Sequence, residues 1–228
     1  MDAAIVEARR RAGVEAAALV EDGMIVGLGT GDTAAHALRA IGERVRGGLR
    51  VSGVATSRAS EELARSLGIA VRAPDDVAAI DLTIDGADEL DGALRLIKGG
   101  GGALTREKLV ARASARVVIV ADWRKRVARL GETRRLPVEL LAFGARWTCE
   151  RLSRLGLDPI VRDGFVTDGG GRIADCALAP NADLERLAAE LKQLTGVVEH
   201  GLFLVEATLA LIGGERGVER LERQRAPA

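Results

Sequence analysis

The 228-residue sequence predicts an α/β fold: a Rossmann-like domain with a mostly parallel sheet, carrying a small α+β unit near its C-terminal end. Three observations carry that prediction. Short β-branched runs such as Met24–Leu28 and Arg116–Ala121 alternate with longer segments whose apolar residues recur at helical spacing, the pattern of βαβ units. Twice a strand passes through a hydroxyl-rich junction directly into a helix, at Gly29-Thr30-Gly31-Asp32-Thr33 and at Ala55-Thr56-Ser57-Arg58. After Asp122 the order becomes βαβ–βαβ-like within about 65 residues, which suits a ferredoxin-like arrangement.

Each element has a local reason. Residues 2–21 place Ile5, Ala8, Ala12, Ala16 and Leu19 on one helical face, and Gly23 stops the helix. Met24–Leu28 reads as a buried parallel strand, and the helix after it carries Ala37, Leu38 and Ile41. Leu49–Val54 repeats the strand, followed by a helix with Leu63, Ala64 and Leu67 that closes at Gly68. Ile69–Val71 and Leu82–Ile84 are short strands separated by Pro74-Asp75-Asp76. Residues 94–97 form another, a helix starts near Ala103, and 116–121 is the most strand-like run. The inserted unit reads as strands 136–142, 159–162, 165–167, 172–176 and 197–204 with helices 144–155 and 181–194. Residues 205–213 return as a strand to the first sheet. The expected boundaries are 1–132 with 205–228 for the larger domain and 133–204 for the smaller.

Composition narrows the function. Lys plus Arg equals Asp plus Glu at 33 each, so bulk charge gives no attraction to nucleic acid. Aromatic residues are 2% of the chain, too few for a base-stacking platform. Two cysteines and two histidines give neither a disulfide framework nor a zinc site. No signal-peptide pattern opens the chain, and no apolar run reaches the ~18 residues of a membrane span. The expectation is a cytoplasmic protein with no nucleic-acid or membrane partner.

The densest chemistry lies in residues 81–111, DLTIDGADELDGALRLIKGGGGALTREKLVA. Asp85, Asp88, Glu89 and Asp91 cluster in a turn; Lys98 precedes four glycines, Gly99 to Gly102; Glu107 opens a helix. Ordering four consecutive glycines is entropically costly, and clustered carboxylates repel unless a cation or hydroxyls lie between them. Together with Thr30, Thr33, Ser57 and the N–H groups of the two junctions, the set suits a phosphorylated polyol. Its natural reaction is proton transfer alpha to a carbonyl, with Glu107 as base and Lys98 or glycine-loop N–H groups on the enediolate oxygen. Each residue also has a plainer reading. The aspartates suit turns, Glu107 an exposed first-turn acid, Lys98 a structural ion pair, Asp32, Thr33, Ser57 or Ser60 a helix cap, and Lys108 and Arg106 a solvated face. His36 and His200 read as capping or packing residues, and Cys149 and Cys176 as small core residues.

Eight segments carry a resemblance across nearly the whole chain: GLGTGDTAAH (27–36), VATSRASEELA (54–64), IDGADELDG (84–92), IKGGGGALTREKLVA (97–111), VIVADWRK (118–125), LPVEL (136–140), DGFVTDGGGRIADC (163–176) and GVVEHGLF (196–203). In order and spacing they resemble the type A ribose-5-phosphate isomerase family. The resemblance implies interconversion of D-ribose 5-phosphate and D-ribulose 5-phosphate through an enediol, in the non-oxidative pentose phosphate pathway. It implies no metal or organic cofactor, a small lid over a Rossmann-like catalytic domain, and a homodimer or dimer of dimers. By position it makes Glu107 the proton-shuttling base, with Asp85, Asp88 and Lys98 as the other catalytic residues. The substrate-binding set is Thr30, Gly31, Asp32, Thr33, Asp85, Gly86, Ala87, Asp88, Lys98, Gly99, Gly100, Gly101 and Lys125. Two positions depart from the family pattern. Arg9-Arg10-Arg11 stands where some members have a lysine near the site, and Asp32 stands where serine is frequent, expected to cap a helix or bind sugar hydroxyls. A sugar-phosphate-sensing regulator fits less well, because Glu107 is present and one helix precedes the first strand. An amino-sugar phosphate deaminase or CoA transferase of related fold also fits less well: the His-centred machinery of the former is not apparent, and the IKGGGGALTREK segment favours the isomerase.

Overall fold

A computed structural model describes residues 2–223; the outermost ends of the expected larger domain, residue 1 and 224–228, lie outside it. Seven strands form the main sheet: β1 (Ile25–Leu28), β2 (Ser52–Ala55), β3 (Ala70–Val71), β4 (Ile80–Gly86), β7 (Ser114–Asp122), β13 (Leu209–Gly213) and β14 (Val218–Glu222). Between β4 and β7 run two short strands, β5 (Glu89–Leu90) and β6 (Leu96–Ile97). The order across the main sheet is β14-β13-β7-β4-β1-β2-β3, parallel throughout except for β14. Strand β14, a hairpin return from β13, has no counterpart in the sequence reading.

Both faces of the sheet are covered, as an α/β sheet requires. Along β7, Val118 and Val120 join the core beneath α1 (Ala3–Ala18) and α2 (Asp32–Arg46), while Val117 and Ile119 face the opposite cluster with Leu94, Phe203 and Ala111. That division is the period-two alternation of a strand. Helix α3 (Arg58–Ser66) adds Ala64 to the first face, and α4 (Leu104–Arg112) adds Ala111 to the second.

The smaller sheet contains β8 (Leu136–Leu140), β9 (Ile160–Val161), β10 (Arg172–Cys176) and β11 (Val197–His200) in the order β11-β8-β10-β9. Helices α5 (Ala145–Arg154) and α6 (Leu184–Gln193) complete the ferredoxin-like βαββαβ sequence around an aliphatic core that Ile97, Val127 and Leu130 join from outside the unit. Residues 165–167, expected as a strand, form none. The Thr167 N–H bonds Gly171 O and the Gly170 N–H bonds Thr167 O, so the segment closes a turn on itself. The strand expected over 197–204 breaks at Gly201. Beyond the break, β12 (Leu202–Phe203) leaves the smaller sheet and pairs with β6 in a three-stranded sheet, β12-β6-β5.

Only glycine fits that break. A Cβ on Gly201 would lie 2.1 Å from Lys98 O and 3.1 Å from Pro137 Cδ. Gly201 donates to Pro137 O at 2.8 Å and accepts from Lys98 N at 2.9 Å. The crossing between the sheets therefore sets the backbone of Lys98.

Candidate active site

The strand order reverses between β1 and β4, and a crevice opens beyond their C-terminal ends, where ligands gather in doubly wound folds. The cleft measures about 250 Å³. Thr30, Gly31, Asp32 and Thr33 come from the β1–α2 junction, Gly86, Ala87 and Asp88 from the end of β4, and Lys98 with Gly99, Gly100 and Gly101 from the segment after β6. Glu107 enters from α4, Lys125 from the short turn after β7, and Arg9 from α1. Every residue of the expected binding set except Asp85 lines it. Asp85 stands one layer back, 2% exposed, with Lys98 in front of it.

The centre of the site is one buried ammonium between two carboxylates. Lys98 Nζ lies 3.1 Å from Asp85 Oδ2 and 3.3 Å from Glu107 Oε1, and donates to Gly86 O at 2.5 Å. The Phe203 ring lies beneath it, 5.5 Å from Nζ to the ring centre. Burial disfavours the Lys98 charge, but the Asp85 and Glu107 carboxylates outweigh it and raise its pKa.

The two carboxylates are held unequally. Asp85 Oδ1 accepts from the Thr30 and Gly86 N–H groups at 3.0 and 2.7 Å. Glu107 Oε2 is buried and has no hydrogen-bond partner among the described residues. Burial consequently dominates at Glu107 and holds its pKa well above the usual carboxylate range, although Lys98 pulls the other way. A buried carboxyl oxygen left without a donor is costly. The reading of Glu107 as an exposed first-turn acid is thereby replaced: it is 5% exposed.

Asp88 holds the glycine loop. Its Oδ2 accepts from Gly100 N at 2.6 Å, and a Cβ on Gly100 would meet Asp88 Oδ1 at 2.5 Å, so the backbone approaches as only glycine permits. Glu89 and Asp91, the other carboxylates of the cluster, turn away from the cleft. Glu89 accepts from Gly131 N, Thr133 N and Oγ1, and Arg134 N at 2.5–2.7 Å; Asp91 pairs with Arg95 at 2.7 Å.

At the β1–α2 junction the N-cap of α2 is Gly31, at φ 99°, with no side-chain cap. The first N–H groups of a 15-residue helix thus open toward the cleft. Asp32 does not cap. Its carboxylate, 71% exposed, pairs with Arg9 at 2.9 Å, and Arg9 reaches the buried Asp122 at the same distance. The second junction serves the fold instead. Ser57 and Ser60 form a reciprocal capping box on α3, and the Thr30 hydroxyl donates to Ser57 at 2.8 Å and lies 2.7 Å from Thr56. Lys125 is half-buried, which lowers its pKa against the pull of Asp88.

Lys108 corrects another expectation. Instead of lying on a solvated face it is 1% exposed, 2.9 Å from Glu199 Oε1, with its ammonium 4.8 Å from the Phe203 ring centre on β12. Burial lowers its pKa even with Glu199 beside it. Arg106 reaches Asp168 at 3.4 Å. Cys176 is fully buried in the smaller core, and Cys149 packs against the same cluster.

The family model of ribose 5-phosphate isomerase A (phosphoriboisomerase A) matches residues 52–217. A ribose-5-phosphate isomerase A from Thermomicrobium roseum is 51% identical over 96% of this chain and 94% of its own. The chain belongs to the ribose 5-phosphate isomerase A family. Solved members superpose closely. Ribose 5-phosphate isomerase from Plasmodium falciparum is 36% identical with a TM-score of 0.93, covering 97% of this chain and all of its own. A D-ribose-5-phosphate isomerase in complex with phospho-erythronic acid is 34% identical, also at 0.93, covering 98% and 100%. These solved members therefore share this chain's fold over nearly its whole length.

Proposed function

We propose that this chain interconverts D-ribose 5-phosphate and D-ribulose 5-phosphate through an enediol intermediate, in the non-oxidative pentose phosphate pathway. The observation that carries the reading is Glu107 Oε2, a buried carboxyl oxygen without a partner beside a polar cleft and a buried lysine. With the open-chain aldose bound, Glu107 removes the proton from C2. The C1 carbonyl oxygen takes up negative charge as the C1–C2 double bond forms, and Lys98 and the glycine-loop N–H groups stabilise it. The hydroxyl proton passes from O2 to O1, Glu107 returns its proton to C1, and a ketone remains at C2. The balance needs no electron donor and no second substrate.

The remaining residues divide the binding. Asp88 takes sugar hydroxyls and assists ring opening. Asp85, set behind Lys98, orients the ammonium. The open N-terminus of α2, Thr33, Lys125 and Arg9 receive the phosphate. Residues 133–204 form the lid domain, and the described residues of 1–132 and 205–228 the catalytic domain; an aliphatic cluster drawn mostly from 136–202, joined by Ile97, Val127 and Leu130, supports that division. The exposed Leu141, Phe143 and Trp147, the last two in edge-to-face contact, support a homodimer, since grouped exposed apolar side chains suit an interaction surface. Two unpaired cysteines suit the reducing cytoplasm.

The test is formation of ribulose 5-phosphate from ribose 5-phosphate in the presence of EDTA. Turnover undiminished by the chelator is expected; no product, or dependence on added metal, would sink the reading. A second expectation follows from Asp32. Its exposed carboxylate stands at the phosphate end of the cleft and repels a dianion there. Asp32→Ser should lower KM for ribose 5-phosphate by roughly two- to fivefold at low ionic strength, and the difference should vanish near ~0.5 M salt. Steady-state kinetics across a salt series decide it. An unchanged or higher KM would place the phosphate away from Asp32.

A further inference from the structure

Arg162, just past β9, does not line the cleft, yet it grips the glycine loop. Its Nη1 donates to Gly100 O at 2.9 Å and its Nη2 to Gly99 O at 3.1 Å. Asp175 on β10 fixes the other edge of the guanidinium, with Nε to Oδ2 and Nη2 to Oδ1 both 2.7 Å. The Phe165 ring lies against its plane, 5.6 Å from the guanidinium carbon to the ring centre. A planar fork held on two edges and one face is immobilised in a way that a lysine could not be.

Peptide planarity turns this grip into a statement about the cleft. In a trans peptide the C=O and the following N–H point in opposite directions. With Gly99 O drawn to Arg162, the Gly100 N–H faces the other way, onto Asp88 Oδ2. With Gly100 O also drawn to Arg162, the Gly101 N–H faces away from the guanidinium, and Gly101 lines the cleft. Glycines impose little preference of their own on those directions. Gly99 O is shared with the Gly102 N–H at 2.9 Å, whereas Arg162 is the anchor of Gly100 O, and so of the direction of the Gly101 N–H.

We propose that Arg162, clamped by Asp175, is a positioning residue for the isomerisation: it fixes the loop with the Gly100 N–H on Asp88, and so aims the Gly101 N–H at the enediolate as its charge develops. The proposal rests on the isomerase reading of the cleft. Donors aimed at charge that exists only in the transition state contribute to kcat and leave ground-state binding nearly untouched. A purely structural tie between the smaller sheet and the loop would instead change stability, or kcat and KM together.

The full-length wild type, Arg162→Met, Arg162→Lys and Asp175→Asn are compared for kcat, for KM with ribose 5-phosphate, and for affinity toward two probes. Phospho-erythronic acid ends in a carboxylate that resembles the charged, planar enediolate; inorganic phosphate tests the phosphate end alone. Arg162→Met should lower kcat about 30-fold, below the 10²–10³ of losing an oxyanion donor outright because the Gly101 N–H is misdirected and not removed. KM and phosphate affinity should stay within about threefold, while phospho-erythronic acid binding weakens in parallel with kcat. Arg162→Lys and Asp175→Asn should show the same split at smaller size. A kcat for Arg162→Met within about twofold of wild type would overturn the proposal, as would parallel losses in kcat, KM and phosphate affinity. If the methionine variant does not fold, the split or its absence in the other two decides. A wild type inactive on ribose 5-phosphate would count against the isomerase reading; an active wild type with indifferent variants would count against Arg162 alone.

Discussion

Glu107→Gln should lower kcat by about 10³- to 10⁴-fold while KM for ribose 5-phosphate changes by less than about threefold. The amide keeps the shape of the side chain in its buried slot, so binding survives, but it cannot accept the C2 proton. Near-normal turnover would mean that another group is the base. The pH dependence gives an independent check. Burial raises the Glu107 pKa to about 8 in spite of Lys98, and the protonated acid is no base. Wild-type kcat/KM should therefore climb with pH across the neutral range and level off above that pKa. The stability consequence has the opposite sign. Between the ordinary carboxyl pKa and the raised one, the folded state binds more protons at Glu107 than the unfolded state does. Wild-type stability should fall as pH rises through that interval. Glu107→Gln has no proton to lose, so its denaturant midpoint should gain on that of wild type as pH rises.

Much of the fold was legible because its signals are local. The β-branched runs of β1 and β7, the strand-to-helix junctions and the alternation of strand and helix depend on neighbours in sequence. Strand β14 escaped because VERLE, on an exposed edge and largely polar, resembles any solvated segment. Residues 165–167 misled in the other direction. Phe165 and Val166 suggest a strand, yet Phe165 serves as a plate for Arg162, and Thr167 turns its hydroxyl to Glu139 at 2.5 Å.

The site was legible in composition but not in depth. Residue types and spacing assembled the cleft through Glu107, Lys98, Asp88 and the glycines. They did not show that Asp85 stands behind Lys98, that Glu89 and Asp91 turn into the fold, or that Lys108 is buried against Glu199, 91 positions away. Arg162 carries no signal at all in its own neighbourhood. Its meaning comes from carbonyls 62 and 63 residues distant.

Lys98→Met should be the most damaging single substitution, because it removes catalysis and stability together. Among the described residues, the ammonium is the sole cation within ion-pair distance of Glu107, and both its carboxylate neighbours are buried. Removing one partner of a buried ionic cluster leaves uncompensated charge, worth about 3–5 kcal/mol. Part of that loss is avoidable. Glu107, already inclined to hold a proton, retains it to higher pH once the ammonium is gone, which relieves the repulsion from Asp85. The measured destabilisation should therefore be modest, roughly 1–2 kcal/mol, at pH 6 and approach the full amount near pH 9, as the proton becomes harder to keep. Denaturant unfolding at the two pH values reads the difference, and equal losses at both would show that Glu107 is ionised throughout. Activity should fall by at least about 10³-fold at either pH, since the enediolate loses its cation. Lys98→Arg should not rescue it. A guanidinium is too broad for a slot bounded by Gly86 O, Asp85 and the Phe203 ring, and it would push Glu107 from its place over the cleft. The contrast with Glu107→Gln separates the two roles: loss of the base lowers turnover in a protein of undiminished stability, whereas loss of the lysine lowers both, and lowers stability most where the base is charged.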